Sequence, residues 1–200
     1  MRLEIVQVGE PVLRQAARPL SPAEIVAPEV QQLIELMRET MHNAPGVGLA
    51  APQIGLPLQL AVIQDTGESP TTERTPVGFH VIANPRLTLG DGVVEFFEGC
   101  LSVDGFQAVV PRARSVRVES LDHRGEPVVI EASGWYARIL QHEIDHLNGK
   151  LYIDRMRGDT LATNKNFARY LAGVPIAEVI ATSDVWSRDL APTAAAVRRR

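Results

Sequence analysis

Apolar and polar residues alternate along this chain in two rhythms, and the change from one to the other divides it into elements. Val30, Leu33, Ile34, Met37 and Met41 fall at helical spacing, which predicts an amphipathic helix of about four turns. Just before it, Ser21-Pro22-Ala23-Glu24 is a capping signal with proline at the first helical position. Pro28 cuts that start into a short turn ahead of the main helix. The rhythm then shifts to that of strands, with runs at about 58–64, 79–84, 93–97, 106–110, 114–120 and 126–132. Asp91-Gly92 and Arg124-Gly125 punctuate them as turns. Strands in succession, without helices between them, predict antiparallel pairing. A second helix is predicted from Trp135 to Leu147, stopped by Asn148-Gly149. Its apolar residues Trp135, Ile139, Leu140, Ile144 and Leu147 cover more than one face, so it should be buried. The expected class is α+β: antiparallel strands around a central helix, with an N-terminal amphipathic helix. Residues 150–156 read as a short strand and about 161–173 as a weaker helix. Residues 1–175 are expected to form one domain, and 176–200 a weakly structured tail ending in Arg198-Arg199-Arg200.

The chemistry is concentrated on the second helix. His142-Glu143-Ile144-Asp145-His146 reads H-E-x-x-H. Residues i and i+4 share a helix face, so both imidazoles can bind one metal ion. The intervening Glu143 is rotated away from the first histidine and can reach a water beside the ion without binding the ion itself. A third ligand is needed. A third histidine six residues after His146 would complete a metzincin pattern, but that position holds Tyr152. The only glutamate after His146 is Glu178, in a segment of little pattern, which fits a thermolysin-like ligand set poorly. Upstream lies the single cysteine, Cys100, in Glu98-Gly99-Cys100-Leu101-Ser102. Alone it reads as a small buried hydrophobe. Beside H-E-x-x-H, a thiolate completing a His₂Cys site with one open position is favoured. A third block, Gly46 to Gly55, carries three glycines and a proline and by itself reads as a turn. Its glycines would let a substrate lie close to the main chain, and Gln53 adds an amide donor suited to an oxyanion.

The three blocks GVGLAAPQIG (46–55), EGCLS (98–102) and QHEIDH (141–146) together resemble the peptide deformylase family. The resemblance extends over about residues 1–157, including Val110-Pro111-Arg112-Ala113. It implies removal of the formyl group from N-formylmethionyl peptides, nascent chains near the ribosomal exit. It further implies a divalent metal on Cys100, His142 and His146, with Fe²⁺ expected in the cell and Zn²⁺, Ni²⁺ or Co²⁺ possible after purification. Glu143 would handle protons, while Gln53 and the Leu101 N–H would stabilise the oxyanion. Gly48 would let the formyl group approach. Helical spacing from His142 puts Ile139, Arg138 and Trp135 beside the methionine pocket, opposite Val47, with Arg138 at the rim on its aliphatic stem. Asp104 stands where many members have proline. Whether Asp145 or Glu98 pairs with Arg112 is left open by the sequence.

Composition removes other classes. Net charge is −4 in 200 residues, so broad nucleic-acid binding, DNA included, is not expected. Hydrophobic residues at 45% and charged residues at 22% are ordinary for a globular protein. No apolar run reaches membrane-spanning length, and MRLEIVQVGE lacks the apolar region of a signal peptide. A cytoplasmic location is expected. Two rival readings are an unrelated metallo-amidase or peptidase, and a non-catalytic metal protein. The second would need a lost base or a fourth protein ligand, and Glu143 is present.

Overall fold

The structure, a computed structural model, describes the backbone of residues 3–189 and the side chains of residues 3–182. In chain order it contains α1 (Pro22–Ile25), α2 (Pro28–Asn43), β1 (Gly48–Ala50), β2 (Leu60–Asp65), β3 (Val77–Leu89), β4 (Val93–Cys100), β5 (Val103–Ala113), β6 (Ser115–Leu121) and β7 (Pro127–Ser133). These are followed by α3 (Gly134–Leu147), β8 (Ala162–Thr163), α4 (Asn164–Asn166) and α5 (Ile176–Asp189). The strands form a five-stranded sheet, β1-β2-β3-β6-β7, and a three-stranded sheet, β4-β5-β8. Strand pairs are antiparallel throughout the described residues, as the unbroken succession of strands requires. The chain is therefore α+β, with α3 central and α2 amphipathic.

Local chemistry explains the elements. Ser21 and Glu24 form a reciprocal capping box on α1, and Pro28 opens α2 at a position where its missing N–H costs nothing. Ile34, Met37 and Met41 of α2 are buried against Leu49, Leu60, Val62 and Val81. Ala137, Leu140, Ile144 and Leu147 of α3 pack on Ala61, Ile63, Ile82 and Val118. Contacts from α3 reach strands of both sheets, so its burial fixes the two relative to each other. Gly149, with φ 69°, ends the helix in the left-handed region. A side chain there would also strike the Arg14–Gln15 backbone.

The structure departs from the sequence reading at three places. Residues 150–156 hold a 3-10 turn, Tyr152–Asp154, instead of a strand. The Asp154 carboxylate accepts the Leu151 N–H at 2.8 Å, which closes the turn locally, and Leu151 and Tyr152 are both buried. The glycine-rich block, which reads as a turn, contains strand β1. The region 176–200 begins with helix α5, whose Val179 is buried. The tail expectation therefore fails up to Asp189, and residues 190–200, with Arg198-Arg199-Arg200, lie outside the described residues. The helix expected at about 161–173 is present in part, as α4 and the π-helical turn Phe167–Leu171.

Candidate active site

The hairpin of β4 and β5 turns within two residues, Leu101 and Ser102, because Cys100 pairs with Val103. This tight turn brings the thiol against α3. Cys100 Sγ lies 3.3 Å from His146 Nε2. The candidate ligand atoms of Cys100, His142 and His146 all lie within 4.8 Å of one another. Bonds of about 2.0–2.3 Å at tetrahedral angles would put ligand atoms roughly 3.5 Å apart, so this trio has the size of a site for one ion. His142 Nδ1 faces Glu98 Oε2 at 3.0 Å, which leaves Nε2 for a metal. His146 Nδ1 is buried without a hydrogen-bond partner. Burial, with the charges of His142 and Arg112, holds His146 well below the usual histidine range. It therefore stays neutral, with a lone pair to offer. For His142, burial works in the same direction but is outweighed by Cys100 and Glu98, which hold it well above its ordinary value. The same negative surroundings favour a cation at this spot.

Glu143 is 3% exposed and its Oε2 has no partner. Burial pushes its carboxyl up to about 7, against the pull of His142 and Arg112. A side chain on Gly48 would collide with this carboxylate, so only glycine lets β1 pass so close.

Behind the trio lies a buried ionic cluster. Arg112 donates two hydrogen bonds to Glu98, each 3.0 Å, and one to Asp145 at 2.5 Å. Arg155 forks onto Asp145 with two bonds of 2.7 Å. Arg112 thus pairs with both acids between which the sequence left a choice. For Glu98, burial alone would raise the carboxyl, but the His142 hydrogen bond and the Arg112 charge outweigh it and hold it far below the usual carboxylate range. Glu98 stays ionised and fixes the His142 ring.

A cleft of about 400 Å³ opens in front of these groups. Gly46, Val47, Gly48 and Gln53 line one wall, Phe97 to Leu101 the other, with Trp135, Ile139, His142 and Glu143 between. Gln53 accepts the Ala50 N–H at 2.9 Å and directs its Nε2 toward Cys100 Sγ, 3.6 Å away, and Ser102 Oγ, 3.3 Å away. Leu101 lines the cleft, its carbonyl tied to Gln7 Nε2 at 2.9 Å. Arg138 is not at a rim: it is 2% exposed. Its guanidinium binds Glu98 at 2.6 Å and the Val110 and Val94 carbonyls at 2.9 and 2.8 Å. It lies 5.9 Å from the Trp135 ring centroid, and Arg74 lies 5.7 Å from the same centroid. Buried carbonyls and a carboxylate satisfy Arg138 better than its stem alone could. Sequence reasoning missed Arg74, which lines the cleft from a loop without a motif. It also missed Tyr152, whose ring stacks on His142 at 6.4 Å between centroids. Neither contact has a periodic signal, since both depend on how distant segments meet.

A buried H-E-x-x-H helix, a thiol donor from a neighbouring hairpin and a cleft before them make the architecture of a one-metal hydrolase. The chain belongs to the polypeptide deformylase family, whose description it matches over residues 2–161, and that family is metal-dependent. It is 48% identical over 179 residues to peptide deformylase 1A, chloroplastic, of Solanum lycopersicum, covering 84% of this chain and 65% of that protein. This chain therefore spans just under two thirds of that relative's length. Peptide deformylase 1 of Streptomyces coelicolor is 48% identical over 173 residues, covering 83% of this chain and 78% of that protein. Among solved structures, the Met-Ala-Ser-bound class I type b peptide deformylase of Acinetobacter baumannii superposes with a TM-score of 0.73 at 33% identity, over 78% of this chain and 99% of that one. No helix among the described residues is long and apolar enough to cross a membrane.

Proposed function

We propose that residues 1–175 form a peptide deformylase that hydrolyses the formamide bond of N-formylmethionyl peptides, releasing formate and a free amino terminus. One observation carries this reading: an unpartnered, buried glutamate stands beside a Cys-His-His trio at the floor of a cleft. The cleft is flanked by β1 and β4, each at the edge of its sheet, so an extended peptide could pair with either edge. A divalent ion held by Cys100, His142 and His146 would supply Lewis acidity, lowering the pKa of a nearby water and polarising the formyl carbonyl. Glu143 takes the proton of the attacking water and passes it to the departing nitrogen. The Gln53 amide and the Leu101 N–H donate to the formyl oxygen as charge develops there. Gly48 leaves room for the formyl group. Val47, Trp135 and Ile139 provide an apolar wall for the methionine side chain, with Arg138 beneath Trp135.

Formate release from formyl-Met-Ala-Ser is expected, with no acetate release from acetyl-Met-Ala-Ser. Cleavage of both at similar rates would indicate a general metallo-amidase instead. Formyl-Met peptides should exceed formyl-Gly peptides in kcat/KM by about 30-fold, since burying a methionine side chain contributes roughly 2 kcal/mol. Equal rates would remove the pocket assignment.

The donor set suits Fe²⁺ or Zn²⁺, and our reading is Fe²⁺ in the cell. Apoprotein loaded anaerobically with Fe²⁺ should release formate faster per bound metal than the Zn²⁺ form. It should also lose activity in air, where metal and thiolate are both oxidisable, while Ni²⁺ or Co²⁺ forms persist. Equal turnover with iron and zinc, unaffected by air, would make this a zinc hydrolase. Nascent chains at the ribosome, in the cytoplasm, are the proposed substrates.

A further inference from the structure

The family match ends at residue 161, yet the next residues help to build the cleft. Ala162 and Thr163 form β8, which pairs with Gln107 and Phe106 of β5. Thr163 caps the following turn by accepting the Asn166 N–H at 3.2 Å, and Asn164 then lines the cleft together with Gln107. The segment is fastened at both sides. The buried Thr160 hydroxyl accepts the Val109 N–H at 2.9 Å. The Phe167 ring meets Phe97, itself a cleft residue, at 4.8 Å between centroids. Residues 160–167 thus hold Asn164 at the wall of the proposed substrate site, fastened to β5 and β4.

The chemistry at this wall is specific. Gln107 Nε2 donates to Asn164 Oδ1 at 3.1 Å. Each carboxamide has one donor group and one acceptor atom. Joining them through a single bond leaves one NH₂ group and one carbonyl oxygen over, whichever amide is the donor. Among the described residues neither leftover group meets another hydrogen-bond partner. A donor and an acceptor side by side are complementary to one peptide group, whose C=O accepts and whose N–H donates. Gln107 stands opposite Gly99 of β4, the residue before Cys100, whereas Trp135 belongs to α3 and Arg74 to the loop before β3. A peptide whose methionine side chain lies against Trp135 and whose formyl group lies by Gln53 and Glu143 has the β4–β5 side of the same cleft left for its following residues.

We propose that the Gln107–Asn164 amide pair is a substrate-binding element that holds the peptide group between the second and third residues of the formylated peptide. Because it reads backbone, it gives the enzyme a requirement for chain length without a requirement for sequence at that point. The inference rests on the deformylase reading above.

The test is a length ladder of formyl-Met-Ala, formyl-Met-Ala-Ser and formyl-Met-Ala-Ser-Ser, each with an amidated carboxyl end, assayed by formate release. A second probe is formyl-Met-Ala-Ser in which an ester replaces the second peptide N–H. The full-length, metal-loaded protein is compared with Asn164→Leu and Gln107→Leu. Wild type should gain about fivefold in kcat/KM on addition of the third residue, the size of one to two neutral hydrogen bonds, and should lose most of that gain with the ester. The gain should appear in KM, with kcat unchanged. Both variants should show a ratio near one between dipeptide and tripeptide, and no response to the ester. Variants that melt earlier but keep the wild-type length ratio would overturn the proposal, leaving the pair as a structural clamp. A wild type indifferent to the third residue would do the same. If no formyl peptide is cleaved at all, the deformylase reading fails first.

Discussion

Glu143→Gln is expected to keep its metal and lose formate release by roughly 10²–10⁴-fold, the usual effect of removing a general base. The carboxylate is not needed to complete the donor trio, which Cys100, His142 and His146 form without it. The amide preserves shape next to Gly48, so the neighbouring strand has no reason to move. What disappears is the ability to take a proton from water and return it to nitrogen. Burial has already pushed the carboxyl up to about 7, well placed for that exchange near neutral pH. Metal content by elemental analysis, measured beside kcat, decides the matter. A metal-replete variant with near-normal turnover would remove Glu143 from the mechanism, while loss of metal would make it a ligand.

The second large effect concerns the cluster behind the site. Arg112→Met should destabilise the protein by about 3 kcal/mol, because it removes three buried charge-assisted hydrogen bonds and leaves Glu98 only Arg138 and His142, and Asp145 only Arg155, as partners. Both partners, Glu98 and Asp145, have side chains under a tenth exposed. For a chain of this size such a loss lowers Tm by roughly 10 °C. Arg117→Met, which breaks only exposed pairs with Glu119 and Glu131, should shift Tm by no more than a degree or two. The pH dependence provides a second readout. The Glu98 carboxyl is held below its ordinary value of 4.5 in the folded state. Its contribution to stability is therefore complete above that pH and lost as pH falls below it toward the folded value. Without Arg112 the folded value rises, so the acid-side loss of stability should begin at higher pH. Melts of both proteins between pH 3 and pH 8 would reveal it. Equal Tm for Arg112→Met and Arg117→Met would show that the cluster is replaceable by apolar packing.

These two predictions stand on different levels of the molecule. Glu143 acts within five consecutive residues whose helical spacing alone sets their relative directions. Arg112, Glu98, Asp145, Arg138 and Arg155 come from three separate elements and the turn after α3, and their pairing follows from long-range packing. The same division separates what was legible in the chain. Helical period and capping chemistry located α2 and α3, and strand period located β2 to β7, because each signal is written within one turn or one alternation. The reading failed at Tyr152–Asp154, where a buried side chain on each of two adjacent positions mimicked a short apolar run. It failed at β1, where the glycines that allow approach to Glu143 looked like turn residues. The burial of Arg138 was missed because helical spacing gives a direction from the axis and says nothing of what waits there.

By itself the sequence determined α2, α3, the succession β2 to β7 with its antiparallel pairing, and the two histidines with a glutamate between them, since all are consequences of local backbone geometry. It also supplied the candidate thiol, favoured as third ligand beside H-E-x-x-H, and the resemblance implied the same role. Only the tertiary structure decided that the hairpin of β4 and β5 turns tightly enough to set Cys100 3.3 Å from His146. Only it decided that one arginine joins both acids, and that Asn164, beyond the family match, lines the cleft. Those outcomes depend on contacts between segments far apart in the chain, whose distances are fixed by the packing of α3 against both sheets and by no periodicity along the sequence.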